Sequence, residues 1–161
     1  MLDFVRIPEE RKGALIGKSG AAKAAIEKKT GVKITIGEVV EIEGEDAVKL
    51  MEAKQVVTAI GRGFAPSRAL RLLNEDFHLI VISLSGENRN TIKRLMARII
   101  GAKGRAKRII EKYTETKLCV YGKTVSIIGE WEGVEKAKGA VELLLKGKPH
   151  AYVYKMLEER Q

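Results

Sequence analysis

The 161 residues contain one cysteine, Cys119, so no intrachain disulfide can form and no cysteine-rich metal site can be assembled. The two histidines, His78 and His150, lie far apart with no matching cysteine spacing, which leaves metal binding without a ligand set. No stretch approaches the roughly 18 consecutive apolar residues that a membrane helix needs. The opening Met1-Leu2-Asp3-Phe4-Val5-Arg6 lacks the charged start, apolar run and cleavage site of a secretory leader. The expectation is a cytoplasmic chain with no membrane partner, no cofactor and no metal. Aromatic residues are only 5% of the chain and none interleaves the basic segments, so base-stacking platforms are an unpromising source of affinity. Trp131, Tyr113, Tyr152 and Tyr154 are expected to pack, and Cys119 to point inward between Leu118 and Val120. With no histidine pattern beside Cys119 and no other catalytic constellation, the chain is expected not to be an enzyme.

What the chain does have is a repeat. Shifting it by 84 positions places Gly17-Lys18-Ser19-Gly20 on Gly101-Ala102-Lys103-Gly104, Ile16 on Ile100 and Lys23 on Lys107. The same shift superimposes Ile26-Glu27-Lys28 on Ile110-Glu111-Lys112, Thr30 on Thr114 and Lys33 on Lys117. With one inserted residue Gly44-Glu45 meets Gly129-Glu130, and Ala53-Lys54 returns to register at Ala137-Lys138. Such a match marks an internal duplication. Residues 1–62 and 77–161 are therefore expected to form two small domains, with 63–76 between them. That intervening stretch carries Leu70, Leu72 and Leu73, too apolar for a free tether, and predicts a short helix that wedges the two domains into a rigid pair.

Periodicity orders each half as strand, helix, glycine loop, helix, strand, strand, helix. In the first half the strands are expected at 2–7, 32–36 and 39–42 and the helices at 8–17, 20–29 and 45–60, the last with Val48, Met51, Val56 and Ile60 in the core. In the second the strands fall at 77–84, 118–120 and 125–128, the last two forming a hairpin around Gly122-Lys123. Helices are expected at 90–99, after the second glycine loop, and at 134–145.

Charge separates the halves. Residues 1–76 carry 13 basic against 12 acidic side chains, net +1, whereas residues 77–161 carry 17 against 9, net +8. The second half should attract polyanions with strong salt dependence. Glu38, Glu41, Glu43, Glu45 and Asp46 read as a solvated acidic edge on the first half that a polyanion should avoid, with docking of a basic protein partner as the alternative.

The loop chemistry follows from its residue types. Two glycines let backbone approach a ligand closely, and the helix starting at the second glycine turns free amides and a partial positive charge outward, a setting made for phosphate. The candidate RNA-binding residues are Gly17, Lys18, Ser19, Gly20 and Lys23, and Gly101, Ala102, Lys103, Gly104, Arg105, Lys107 and Arg108. Ile26 with Ile34 and Ile36, and Ile110 with Leu118 and Val120, are core positions that could also floor a groove for bases.

Ile7-Pro8, Gly13-Ala14-Leu15-Ile16-Gly17-Lys18-Ser19-Gly20, Ile26, Thr30-Gly31 and Ile34 resemble the signature of a type I KH domain. The second copy resembles it through Ile99-Ile100-Gly101-Ala102-Lys103-Gly104, Ile110, Thr114 and Leu118, with Glu115 where a helix-ending glycine is usual. Lys23 and Lys107 replace a customary aliphatic residue. Including Gly61 to Leu73 and Gly147 to Tyr154, the chain resembles the archaeal partner-of-NOB family of small-subunit ribosome assembly factors. The resemblance implies an α+β fold of two tandem type I KH domains, each a three-stranded antiparallel sheet packed against three helices. It implies single-stranded RNA, the 3′ end of small-subunit ribosomal RNA, as ligand, with a maturation nuclease and translation initiation factor two alpha as partners. Two rivals stand beside it. One is a KH-fold protein scaffold. The other is a nucleotide hydrolase, because Gly13 to Ser19 is similar to a phosphate-binding P-loop, although three residues separate its glycines where four are required.

Overall fold

The computed structural model describes residues 1–159, which divide into two compact units, 1–75 and 76–159. In the first, β1 (Leu2–Val5) leads through a 3-10 turn at Glu9–Arg11 into α1 (Lys12–Ile16), followed by α2 (Ala21–Thr30), β2 (Lys33–Ile36), β3 (Val40–Glu43) and α3 (Ala47–Gly61). β3 is the central strand, antiparallel to both neighbours, in the order β1-β3-β2. Asp46 caps α3 by accepting the Val48 and Lys49 amides, which fixes where the helix starts. Its buried row is then Leu50, Ala53, Val57 and Ile60, spaced as one helical face, with Val56 beside it. This corrects the expectation for Val48 and Met51, which lie on the opposite face and are each 65% exposed.

The second unit repeats the order with β4 (Phe77–Ser83), α5 (Arg89–Ile100), α6 (Arg105–Thr114), β5 (Lys117–Tyr121), β6 (Thr124–Glu130) and α7 (Trp131–Leu145). Its sheet is β4-β6-β5, again antiparallel. Ile99, Ile110, Leu118, Val125, Ile127 and Val141 make the centre of its core. Cys119 is half-buried, because Leu118 and Val120 occupy the inward side of β5 and alternation turns the residue between them the other way. Trp131 and Tyr152 are also corrected: both are more than half exposed, Trp131 meeting His78 edge-on at 5.5 Å.

The duplication continues past the third helix of each unit. α3 and α7 end in the same hydrogen-bonded turn, with Gly63 and Gly147 at positive φ, Phe64 N–H on Ala59 O and Lys148 N–H on Leu143 O. Each turn leads into a further segment: α4 (Pro66–Ala69) with the 3-10 turn Leu70–Leu73 in the first unit, and α8 (His150–Glu159) in the second. Ala69 and its counterpart Val153 are fully buried. An arginine secures both turns. Arg11 donates to the Ile60 and Phe64 carbonyls, and Arg98 donates to the Leu144 and Lys148 carbonyls, which are the same two positions 84 residues on. The two arginines themselves are not equivalent in sequence. Residues 63–75 thus belong to the first unit's own packing, and the stretch expected as a C-terminal tail of the second unit carries the helix α8.

Candidate nucleic-acid interface

Each glycine loop joins two helices without room for a regular turn. Gly17 ends α1 at φ 78°, ψ 174°, and Gly101 ends α5 at φ 76°, ψ 171°. Ser19 and Lys103 follow in the left-handed region at φ 55° and 56°, and Gly20 and Gly104 at 77° and 74° start the next helix. The backbone path is therefore the same in both copies to within a few degrees. The first glycine has a second reason to be glycine: a Cβ on Gly17 would sit 2.6 Å from the Ala22 nitrogen, and one on Gly101 2.8 Å from the Ala106 nitrogen. A Cβ on Gly20 would meet nothing, so only φ selects glycine there. Lys18, Ser19, Ala102, Lys103 and Arg105 are all exposed around these loops, at the N-termini of α2 and α6, where amides and dipole favour an anion.

Behind the loops the two copies also agree. Glu27 accepts the Ile34 amide at 2.8 Å and pairs with Lys23 at 3.6 Å; Glu111 accepts the Leu118 amide at 2.9 Å and pairs with Lys107 at 3.7 Å. Lys23 and Lys107 are thus held half-buried between helix and strand, their charge already shared with a carboxylate. Arg108, expected to extend the positive surface along this helix, is exposed there and also touches the loop. Its Nη1 donates to the Lys103 carbonyl at 2.6 Å, bracing the loop from within its own helix. Position 24, its counterpart, is alanine, so the first loop has no such brace.

Ile26, Ile34, Ile110 and Leu118 are at most 1% exposed, which places them under the groove and leaves none of their side-chain surface for a base. The groove surface in the second unit is supplied by residues that sequence reasoning passed over. α5 offers Arg89, Ile92, Lys93, Met96 and Ile100, and the β5–β6 hairpin offers Val120, Gly122 and Lys123, around a cleft of about 610 Å³ that opens beside Gly101. The signal was present in the sequence as Ile92, Met96 and Ile100, one row at helical spacing that continues into the loop. On the other side of α6, Arg105, Arg108, Lys112 and Lys117 surround Ile109 in a second hollow of about 500 Å³. In the first unit the positions matching Ile92, Lys93 and Met96 are Pro8, Glu9 and Lys12, the last two joined in an ion pair at 2.6 Å.

A three-stranded sheet with the order strand-helix-helix-strand-strand-helix and a glycine loop between the first two helices defines a KH unit, here present twice, and in the second unit a cleft opens beside the loop. Residues 76–161 match the eukaryotic type KH-domain (KH-domain type I) family, and residues 3–59 match the KH domain family. The chain belongs to the tandem KH-domain family of Dim2 and Pno1. It is 45% identical to the KH domain-containing protein MJ0443 of Methanocaldococcus jannaschii, over 99% of this chain and 74% of that one. Against the a/eIF2alpha-aDim2p-rRNA complex from Pyrococcus horikoshii OT3 it is 46% identical with a TM-score of 0.92, covering 99% of this chain and 93% of that one. The RNA-binding protein pno-1 of Caenorhabditis elegans is 30% identical over 70% of this chain, which spans 43% of that longer protein.

Proposed function

We propose that this chain is a non-catalytic assembly factor that binds single-stranded RNA at the 3′ end of small-subunit ribosomal RNA. The observation that carries the reading is the second unit's cleft. A loop that presents backbone amides at a helix N-terminus adjoins an apolar wall flanked by Arg89, Lys93 and Lys123, three cations against the single carboxylate of Glu87 that also lines the cleft. A phosphate belongs at the loop and bases belong on the wall, in a clamp of about four nucleotides. The second unit supplies the larger electrostatic share and the first lengthens the site, engagement of one raising the effective concentration of RNA at the other to about the millimolar range. The ribosomal RNA in the complex of the Pyrococcus horikoshii relative supports the choice of ligand, and its a/eIF2alpha supports a protein partner alongside the RNA. A maturation nuclease is the further partner implied by the family, and the cytoplasm the compartment. The test is affinity for a single-stranded oligonucleotide of that 3′ end across a salt series. Sequence-dependent binding that is lost on changing Ala102 and Lys103 to aspartate supports the reading, and binding indifferent to that change refutes it.

A further inference from the structure

The hollow beside α6 of the second unit is separate from the cleft. It is lined by Arg105, Arg108, Ile109, Glu111, Lys112 and Lys117, none of which lines the cleft between α5 and the β5–β6 hairpin. Its one carboxylate, Glu111, already accepts the Leu118 amide and pairs with Lys107. Among the described residues no ion pair engages Arg105, Arg108, Lys112 or Lys117. Four cations thus face one hollow against a single carboxylate that is held elsewhere.

The first unit shows that the fold does not require them. α2 and α6 are both 10 residues long and correspond in the duplication, yet Ala21, Ala24 and Ala25 stand where α6 has Arg105, Arg108 and Ile109. Lys28 and Lys33 match Lys112 and Lys117, so the second unit sets two arginines beside a pair of lysines that both units carry. Those arginines sit badly for the helix. Arg105 opens the first turn of α6 and Arg108 lies three residues on; that turn holds no acid, and cations at the positive end of a helix dipole destabilise it. An anion bound in the hollow reverses the sign of that interaction.

What the lining lacks identifies the anion. It includes no aromatic face and no side-chain amide, and Ile109 is its one apolar side chain, so a base finds neither a stacking surface nor an edge reader there. Phosphates are matched. The row from Arg105 to Lys112 extends about 10 Å along the helix, enough for more than one phosphate of a strand. Lys117 adds a cation from β5. A single strand laid here would leave its bases in water, whereas a duplex keeps its bases paired and offers its backbone. We propose that this hollow is a second RNA site, which takes the sugar-phosphate backbone of a double-helical segment. The second unit then binds a junction, where a duplex gives way to the single strand held in the cleft. Arg105, the first residue after the glycine loop, stands where the two sites meet. The junction rests on the proposed reading of the cleft; the duplex contact does not.

The test is fluorescence-anisotropy titration of the full chain, across a salt series, with the single-stranded oligonucleotide, with a blunt RNA duplex of unrelated sequence, and with that duplex carrying the oligonucleotide as a 3′ tail. Wild type should bind the tailed duplex about tenfold tighter than the oligonucleotide alone. Lys112→Gln with Lys117→Gln, at positions outside the cleft and the glycine loop, should remove that gain and weaken the blunt duplex several-fold. The same change should lower the salt slope for both duplexes by about two and leave the oligonucleotide within about twofold. Circular dichroism verifies that the variant folds. Ala102→Asp with Lys103→Asp should give the reverse order, losing far more affinity for the oligonucleotide than for the blunt duplex. A tailed duplex bound no tighter than the oligonucleotide, or a gain that the lysine variant keeps, would overturn the duplex site and leave the cleft reading standing. An oligonucleotide weakened by the lysine change as much as the tailed duplex would overturn the occupant and assign the hollow to the single strand. A chain that grips the blunt duplex through these lysines yet ignores the oligonucleotide would overturn the cleft reading and the junction while upholding the duplex contact.

Discussion

Gly17 to Gly20 and Gly101 to Gly104 trace one backbone path, and Glu27 and Glu111 tether the neighbouring strand with the same hydrogen bond, yet the surfaces leading to the two loops share little. In the second unit α5 runs for 12 residues and walls an apolar cleft lined by Arg89, Lys93 and Lys123 as well as Glu87. In the first, α1 has 5 residues, and an internal Glu9–Lys12 ion pair stands where that wall would begin. The backbone of the clamp has been kept while the walls diverged. On the proposed reading, phosphate recognition depends on the backbone and is common to both loops, and the affinity and selectivity added by side chains belong mostly to the second unit.

The largest effect should come from placing negative charge at the anion sites. Ala102→Asp with Lys103→Asp is expected to lower RNA affinity about a hundredfold or more, and Lys18→Asp with Ser19→Asp nearer tenfold, in filter-binding or fluorescence titrations at fixed salt. Equal losses would erase the asymmetry between the units. Next comes stability. Gly17→Ala and Gly101→Ala combine a left-handed alanine with a Cβ against the backbone of the next helix, at a cost of about 2–4 kcal/mol in urea unfolding of the affected unit. Gly20→Ala meets open space and should cost only about 1 kcal/mol.

A finer comparison uses the brace. If Arg108 acts by holding the Lys103 carbonyl, Arg108→Ala should weaken RNA binding several-fold with the salt slope unchanged, whereas loss of a direct phosphate contact would reduce that slope by about one. Ala24→Arg transfers the brace to the first loop and should strengthen its grip by a similar factor. The helix ends give a smaller contrast. Glu115 terminates α6 at φ 54°, where Gly31 terminates α2 at φ 75°, so Glu115→Gly should stabilise the second unit by about 1 kcal/mol in the same unfolding experiment. Smallest is Asp3. The Lys54 side chain, and after it the Phe4 amide, hold this exposed carboxyl below its ordinary range. A lowered folded pKa means its stabilising contribution is present at neutral pH and is lost as pH falls through that lowered value. Asp3→Asn should remove this part of the acid-side dependence of melting temperature and leave the second unit unaltered.

The features legible in the sequence were those with a strict local requirement. Glycines at fixed spacing, a register of matching residues and alternating strands located the loops and ordered the elements, because each depends on backbone conformation over a few residues. Val48 and Met51 were misplaced because α3 offers two apolar rows, and only the Asp46 cap and the neighbouring sheet decide which is turned inward. Ile26 and Ile110 are the core positions expected, but spacing left open whether they also reach a groove, because burial depth is set by what packs around them, here Ile92, Met96 and Val120 in the second unit. Arg108 looked like one more cation in a basic run. Its use as a loop brace depends on a side-chain direction that spacing does not encode.

The turn secured by Arg11 in one unit and Arg98 in the other bears on how such a protein arose. The copied stretch does not stop at the third helix: it includes the closing segment that brings Ala69 and Val153 into their respective cores. The seam between copies falls at Glu75 and Asp76, after that closure is complete. A gene doubled at this point joins two already finished modules, and neither has to borrow a missing piece from the other. That leaves each copy free to change its surface without endangering its twin, the condition under which one could lengthen its wall and gather cations while the other stayed close to neutral.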